Sequence, residues 1–238
     1  MSFLKAEWRK LALANYAIDP KILEPYVPAR TELDIWNGNC YVSLVGFMFK
    51  NVKLLGLKIP FHVNFEEVNL RFYVRHFDGK EWKRGVTFVS EIVPKPAISI
   101  VANTIYKEHY STMPMRHKWD INQDRQFIEY QWKFKGNWQN FDLTTGTEGH
   151  DLVEGSEEEF ITEHYWGYSP HPSGKTVEYQ VTHPRWQTYE VKDFNIYADF
   201  GGLYGKEFAF LANSQPTSVM LAEGSQITVE SRNILSKL

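Results

Sequence analysis

Hydrophobic and polar residues alternate with a period of two along most of the chain, which is typical of strands that bury one face. In the segment 67–74, Val68, Leu70, Phe72 and Val74 alternate with polar or amphipathic neighbours. The same signal, bounded by turn residues, predicts further strands at 32–49, 85–93, 127–135, 138–143, 176–182, 186–193, 207–212 and 218–230.

Three short helices are predicted between these strands. Asp19-Pro20 starts the first, which ends before Pro28, and the second follows Pro96. The third begins with a capping box, in which Ser156 is followed at the third helical position by Glu159. Many strands with few helices predict an α+β fold, mainly antiparallel β, arranged as a barrel or sandwich with a few peripheral helices. We expect residues 1–238 to form a single domain.

Composition and charge narrow the possible partners. The 238 residues are 43% hydrophobic, enough for a sizeable core, and the single cysteine, Cys40, excludes an intrachain disulfide. With a net charge of −3 and no basic cluster, the chain is not expected to bind nucleic acid. Charges interrupt the apolar residues near the N-terminus, and no apolar run approaches the length of a membrane helix. We therefore expect a cytoplasmic protein without a membrane partner, a cofactor or a bound metal.

A hairpin between the strands 67–74 and 85–93 concentrates polar groups on one face. The loop Phe77-Asp78-Gly79 predicts a three-residue turn that pairs His76 with Lys80 and Leu70 with Val86. In that register, the face opposite the apolar side chains carries Glu67, Asn69, Arg71, Tyr73, Thr87, Val89 and Glu91.

This polar face supports three hypotheses. The first is an internal pocket that binds a small organic molecule, such as a carbonyl compound or a carboxylate, through Glu67, Asn69, Arg71, Tyr73 and Glu91. The second is a polar face that meets another protein. The third is a face that simply meets solvent, which is common in antiparallel sheets.

Lys95 offers an enzymatic alternative. It lies between Pro94 and Pro96, which hold the backbone extended, so the lysine is expected to keep the facing of Glu91. A lysine among apolar groups titrates at lower pH and can form a Schiff base with a carbonyl. Glu67 or Glu91 could then move protons, but a nearby carboxylate would also raise the pKa of the lysine.

Several segments together resemble a known family. They are Asn15-Tyr16-x-Ile18-Asp19-Pro20, Leu33-Asp34-x-Trp36-x-Gly38, Tyr41-Val42-Ser43-Leu44, Phe65-x-Glu67-Val68-Asn69-Leu70-Arg71-x-Tyr73-Val74, Glu91-Ile92-Val93-Pro94, Ser156-x-Glu158-Glu159-Phe160-Ile161-Thr162-Glu163 and His183-Pro184-x-Trp186. Nearly the whole chain resembles the YqjF-like bacterial family of uncharacterised proteins, which is similar in fold to acetoacetate decarboxylase.

That resemblance implies a β-rich fold with an interior pocket and possible roles for two residues. Glu67 matches the glutamate of the decarboxylase's Glu-Val-x-Leu strand, and Lys95 matches its Schiff-base lysine, which also follows a proline. Two positions depart from the decarboxylase pattern: Pro96 stands where a second lysine follows, and the stretch Tyr16-Ala17-Ile18, just before Asp19-Pro20, has no arginine to hold a substrate carboxylate. The resemblance therefore implies a decarboxylase- or aldolase-like lyase as the alternative function, with Lys95 and Glu67 as its catalytic residues.

Overall fold

A computed structural model describes residues 2–235. The strands are β1 Ser2–Ile18, β2 Glu32–Leu33, β3 Cys40–Leu54, β4 Phe65–Phe77, β5 Trp82–Val93, β6 Tyr110–Thr112, β7 Met115–Ile121, β8 Gln126–Phe134, β9 Asn137–Thr145, β10 His150–Asp151, β11 Trp166–Pro170, β12 Thr176–Thr182, β13 Gln187–Tyr189, β14 Val191–Tyr197, β15 Ser218–Glu230 and β16 Asn233–Leu235. The α-helices are α1 Pro20–Leu23, α2 Pro96–Ile105, α3 Glu157–Thr162 and α4 Phe200–Tyr204, and 3₁₀ turns cover Glu24–Tyr26 and Lys206–Asn213.

Two sheets pack against each other in a sandwich-like arrangement. The larger sheet has twelve strands in the order β10-β13-β15-β1-β3-β4-β5-β11-β12-β16, with β2 beside β4 and β6 beside β5, and β12 also pairs with β15. The smaller sheet has the order β14-β9-β8-β7. Most pairings are antiparallel, and the exceptions are β5 with β6 and β5 with β11. This architecture confirms the predicted α+β class, mainly antiparallel β with few helices.

The strand β4 separates two apolar clusters because its side chains alternate between the faces of the large sheet. Val68, Leu70 and Phe72 join the small sheet in the first cluster, where they meet Tyr130 and Trp132. The opposite face of the large sheet contributes to a second cluster, which includes Tyr73, Val86, Val93, Phe160 and Trp186. The polar residues of β4 lie on this second side.

The predicted hairpin register is wrong. Phe77 pairs with Trp82 and Arg71 pairs with Phe88, so the loop has four residues rather than three. The Asp78 side chain accepts hydrogen bonds from the backbone N–H groups of Lys80 and Glu81, at 2.9 and 3.0 Å, and this cap closes the longer loop.

A β-bulge at Val89 changes the phase of β5. Arg71 pairs with Phe88, but the preceding residue, Leu70, pairs with Ser90, so Val89 is the extra residue. Val89 belongs to the first apolar cluster and Thr87 lies out of phase with the polar face, so their predicted facing is wrong. The bulge nevertheless places Glu91 opposite Asn69, on the predicted side.

The helix predictions agree with the structure where the capping signals are specific. Helix α2 spans Pro96–Ile105, and the Ser156 side chain accepts from the backbone N–H of Glu159 at the start of α3. The strand predicted over 207–212 is wrong. There the 3₁₀ turn buries Phe208 and Leu211, which are three residues apart as its geometry requires.

Two strand predictions have wrong boundaries, and β1 was not predicted. The segment predicted over 32–49 contains only the short β2 and the start of β3, and the one over 186–193 is split into β13 and β14. The long central strand β1 has buried residues on both faces from Leu11 to Ala14, which removes the alternation that would have signalled it.

In residues 2–235, no helix has the length and apolar character needed to span a bilayer.

Candidate functional site

An interior cavity of about 200 Å³ lies on the polar side of β4. Its wall is mainly aromatic and aliphatic and includes Trp8, Phe47, Phe49, Phe88, Ile98 and Trp186. The polar side chains in the wall are His62, Glu67, Asn69, Arg71, Glu91, Tyr106, Glu108, Tyr110, Thr162, His164, Tyr179 and His183. The cavity therefore suits a ligand with an apolar body and a small number of polar groups.

Glu67 is the most fully hydrogen-bonded acid of the cavity. Its Oε1 accepts from the Asn69 amide at 2.9 Å, and its Oε2 accepts from the Tyr110 hydroxyl at 3.0 Å. Burial raises the pKa of Glu67 to about 7, although these two hydrogen bonds and the charge of Arg71 oppose the shift. Glu67 therefore titrates near neutral pH.

Two further carboxyl groups accompany Glu67. Burial raises the pKa of Glu91 well above its usual range, and the charges of Glu108 and Glu67 raise it further. Burial likewise raises the pKa of Glu108 to about 8, against a hydrogen bond from the Tyr179 hydroxyl. Glu91 Oε2 is buried without a hydrogen-bond partner in residues 2–235. Held protonated, Glu91 is a hydrogen-bond donor for an acceptor atom of a ligand.

Arg71 is the buried cation of the site. Only 8% of the residue is exposed, and its Nη2 donates to the Ile161 carbonyl at a long 3.4 Å. Its guanidinium carbon lies 5.7 Å from the centre of the Tyr73 ring. Within residues 2–235 its Nε has no hydrogen-bond partner, and no carboxylate forms an ion pair with it. A buried guanidinium with unused donors favours the binding of an anion.

His164 lines the cavity as a neutral imidazole. Burial lowers its pKa to about 4, although Asp34 opposes the shift. Burial by itself would raise the pKa of Asp34, but hydrogen bonds from His164 and Arg84 outweigh it and lower that pKa. His164 Nε2 lies 3.0 Å from Asp34 Oδ2 and donates to it, which leaves Nδ1 as an acceptor without a partner in the described part of the chain.

The structure brings four of the six predicted site residues to the cavity. Glu67, Asn69, Arg71 and Glu91 line it. Tyr73 lies on the same face but contacts the site only indirectly, since its hydroxyl is 2.7 Å from Ser43 Oγ and its ring packs on His164.

Lys95 does not line the cavity. It immediately precedes α2, and Ala97 and Ile98 of that helix line the cavity instead. Burial by itself would raise the pKa of Glu66, but a hydrogen bond from His117 at 2.6 Å lowers it, and the charge of Lys95 adds a smaller effect. The catalytic role of Lys95 stays a prediction.

The polar wall residues that were not predicted include Glu108, Tyr110, His164 and Tyr179. Glu108 lies in the connection after α2, Tyr110 begins the short strand β6, and His164 follows α3 in a further connection, so neither sequence alternation nor spacing connects them to β4. Tyr179 was assigned to a strand, but its facing depends on the pairing of β11 with β12. No group of His, Cys, Asp and Glu in residues 2–235 has an arrangement suited to a metal ion.

Gly167 allows Tyr179 to reach Glu108. A Cβ at Gly167 would lie 2.1 Å from Tyr179 Cζ, so the tyrosine ring occupies the space of the missing side chain. We expect Gly167→Ala to displace the ring and to lower the free energy of unfolding by about 1–3 kcal/mol, as in other overpacked sites. Urea denaturation measures this loss, with Gly146→Ala as the control, because a Cβ there makes only ordinary contacts. Equal stability of the two variants would show that the tyrosine ring adjusts freely.

Comparison with known proteins shows family and fold similarity. The family model DUF2071, described as an uncharacterized conserved protein, matches residues 5–226. The uncharacterized protein YqjF of Bacillus subtilis (strain 168) is 34% identical over 88 residues, which are 37% of this chain and 35% of YqjF. The match thus spans about a third of the length of that relative.

Two solved structures share the fold over nearly the whole chain. Acetoacetate decarboxylase from Legionella pneumophila superposes with a TM-score of 0.66 at 14% identity, covering 98% of this chain and 87% of the other. The enduracididine biosynthesis enzyme MppR complexed with pyruvate superposes with a TM-score of 0.67 at 12% identity, covering 99% and 91%. At these identities, the likeness shows the fold alone.

Proposed function

Because the chain belongs to the DUF2071 family of uncharacterized conserved proteins, whose name states no activity, we propose a function from the site itself: the cavity binds a small organic acid. The ligand's carboxylate contacts Arg71, and its apolar body packs against the aromatic wall. The observation that carries this proposal is the buried guanidinium, which has unused donors and no ion-pair partner in residues 2–235.

The charge state of the neighbouring acids supports the same ligand class. Three carboxylates beside Arg71 would repel an anion, but burial raises the pKa values of Glu67, Glu91 and Glu108. At neutral pH the cluster therefore retains protons, and the positive charge of Arg71 is not fully compensated. A second ligand oxygen, such as a carbonyl, accepts a hydrogen bond from protonated Glu91.

The structural neighbours are compatible with a ligand of this size and charge. MppR, which shares the fold, was crystallised with pyruvate, a small keto acid. The alternative function, a lyase that forms a Schiff base on Lys95, requires that lysine to reach the cavity. Lys95 does not line the cavity, which gives that alternative less support than binding through Arg71.

The test compares a carboxylate with its neutral isostere. We expect hexanoate to bind and hexanamide to bind much more weakly, and we expect Arg71→Met to weaken hexanoate binding at least 30-fold. This factor corresponds to the loss of about 2 kcal/mol for truncating one partner of a buried charge pair. Calorimetric titration measures both affinities.

Arg75→Met is the matched control, because Arg75 lies four residues further along β4 and pairs with exposed Glu32 rather than lining the cavity. The control is expected to bind hexanoate as the unmodified chain does. If Arg71→Met bound hexanoate with unchanged affinity, the assignment of Arg71 as the anion site would be wrong.

A further inference from the structure

An exposed apolar surface lies next to the cavity. The connection between β3 and β4, residues 55–64, exposes Leu55, Leu57, Ile59 and Phe61, with Leu57 72% and Phe61 87% exposed. Ile100 of α2 is also exposed, at 66%. We call residues 55–64 together with Ile100 the apolar rim. Contiguous exposed side chains of this kind usually mark an interaction surface.

The apolar rim is continuous with the cavity wall. Ile59 and His62 of the connection line the cavity, and so does Leu54 at its base. On α2, Ile98 and Val101 line the cavity while Ile100 faces away from it. A ligand with an apolar body can therefore pass from the rim into the cavity along apolar side chains.

The two segments that carry the apolar rim contain lysines and no acids. Residues 50–64 contain three lysines, at positions 50, 53 and 58, and no Asp or Glu, although the whole chain has a net charge of −3. Residues 95–107 add Lys95 and Lys107, again without an acid. Acids of neighbouring elements have partners: Glu7 accepts from Arg9 and Asn51, Glu66 accepts from His117, and Glu108, next to Lys107, lines the cavity and accepts from Tyr179.

We propose that the apolar rim docks on an anionic lipid bilayer. Exposed leucine and phenylalanine side chains flanked by lysines are suited to insertion at the level of lipid headgroups, where apolar burial and attraction to anionic lipids act together. A second copy of the chain fits this surface less well, because a two-fold contact would bring two sets of lysines together.

Sedimentation with vesicles tests this proposal. We expect the protein to pellet with vesicles of phosphatidylcholine and phosphatidylglycerol, and to pellet weakly with phosphatidylcholine alone or at high salt. Lys53→Gln/Lys58→Gln is expected to weaken binding about 30-fold, since each lysine near an anionic surface contributes about 1 kcal/mol.

The apolar contribution is tested with a pair of matched double variants. Leu57→Asp/Phe61→Asp is expected to abolish pelleting, whereas Ile121→Asp/Val153→Asp, which alters exposed apolar residues elsewhere, loses little. Thermal melting of all variants verifies that they fold, which is expected because the substituted side chains are exposed.

Three results would overturn the proposal: no pelleting with anionic vesicles, equal pelleting of the two double variants, or equal pelleting with neutral and anionic vesicles. A fourth such result would come from sedimentation velocity without lipid. If the unmodified chain formed an oligomer that the substitutions Leu57→Asp/Phe61→Asp dissociated, the apolar rim would be a contact between copies of the chain. Hexanoate binding is measured separately, so a failure here leaves the proposed ligand class unaffected.

Discussion

Glu67→Gln is expected to stabilise the protein in alkaline solution and to leave its stability unchanged in acid. The pKa of Glu67 is raised to about 7 in the folded protein from an ordinary value of 4.5, chiefly by burial. Below about pH 4, the carboxyl is protonated in both the folded and unfolded states, so glutamine and glutamic acid are equivalent.

As pH rises above the ordinary value, the unfolded state loses its proton and the folded state retains it. The contribution of Glu67 to the free energy of unfolding therefore falls with pH and levels off above the folded pKa. At about pH 9, the whole difference between the folded and unfolded pKa values of Glu67 contributes, which corresponds to a free energy of unfolding roughly 3 kcal/mol higher for Glu67→Gln than for the unmodified chain. The neutral amide also removes repulsion from Glu91 and Glu108, which acts in the same direction.

Urea denaturation at several pH values measures the difference between Glu67→Gln and the unmodified chain. Glu154→Gln is the control, because Glu154 is exposed in a loop and lies outside the cavity. A parallel pH dependence of Glu67→Gln and the unmodified chain would mean that Glu67 ionises in the folded protein as it does in the unfolded one.

Gly224→Ala is expected to lower the free energy of unfolding by about 3 kcal/mol or more, through two additive effects. Gly224 has φ +78°, a left-handed conformation that is unfavourable for alanine. A Cβ there would also lie 2.0 Å from the backbone oxygen of Trp8, so β1 and β15 would have to separate. The shift would reach the cavity, because Trp8 lines it.

Gly155→Ala separates these two effects. Gly155 has the same φ of +78°, but nothing lies within 4 Å of a Cβ placed there. We expect Gly155→Ala to be destabilising by about 1 kcal/mol, the part due to backbone conformation alone. If the two alanine variants lost the same amount in urea denaturation, the contact with Trp8 would contribute nothing.

The sequence predicted the local features of the fold better than its long-range pairings. The alternation of 67–74 identified both β4 and the polar face that lines the cavity, because side-chain facing within one strand follows from the backbone alone. The turn at Asp78 was mispredicted because Asp-Gly is compatible with loops of more than one length. Here the Asp78 side chain caps two backbone N–H groups and selects the longer loop.

The candidate site was only partly predictable for a related reason. Arg71 and Glu91 were found because a hairpin connects their strands, and hairpin partners are close in sequence. Glu108 and His164 reach the same cavity from connections that follow helices, and Asp34, which orients His164, is 130 residues away from it. No periodic pattern relates residues at such separations, so only the packed structure shows that they meet.

The extra residue at Val89 shifts the alternation of side chains in β5. Which residues face the cavity in one half of the strand therefore does not follow from the alternation in the other half. If the strand kept Val89 but paired without the bulge, unbroken alternation from Phe88 would turn Glu91 to the opposite face of the sheet. The acidity of the cavity thus depends on the bulge as well as on residue identity. A relative that kept the glutamate but paired this strand without the bulge would retain the motif in its alignment and lack the acid in its interior.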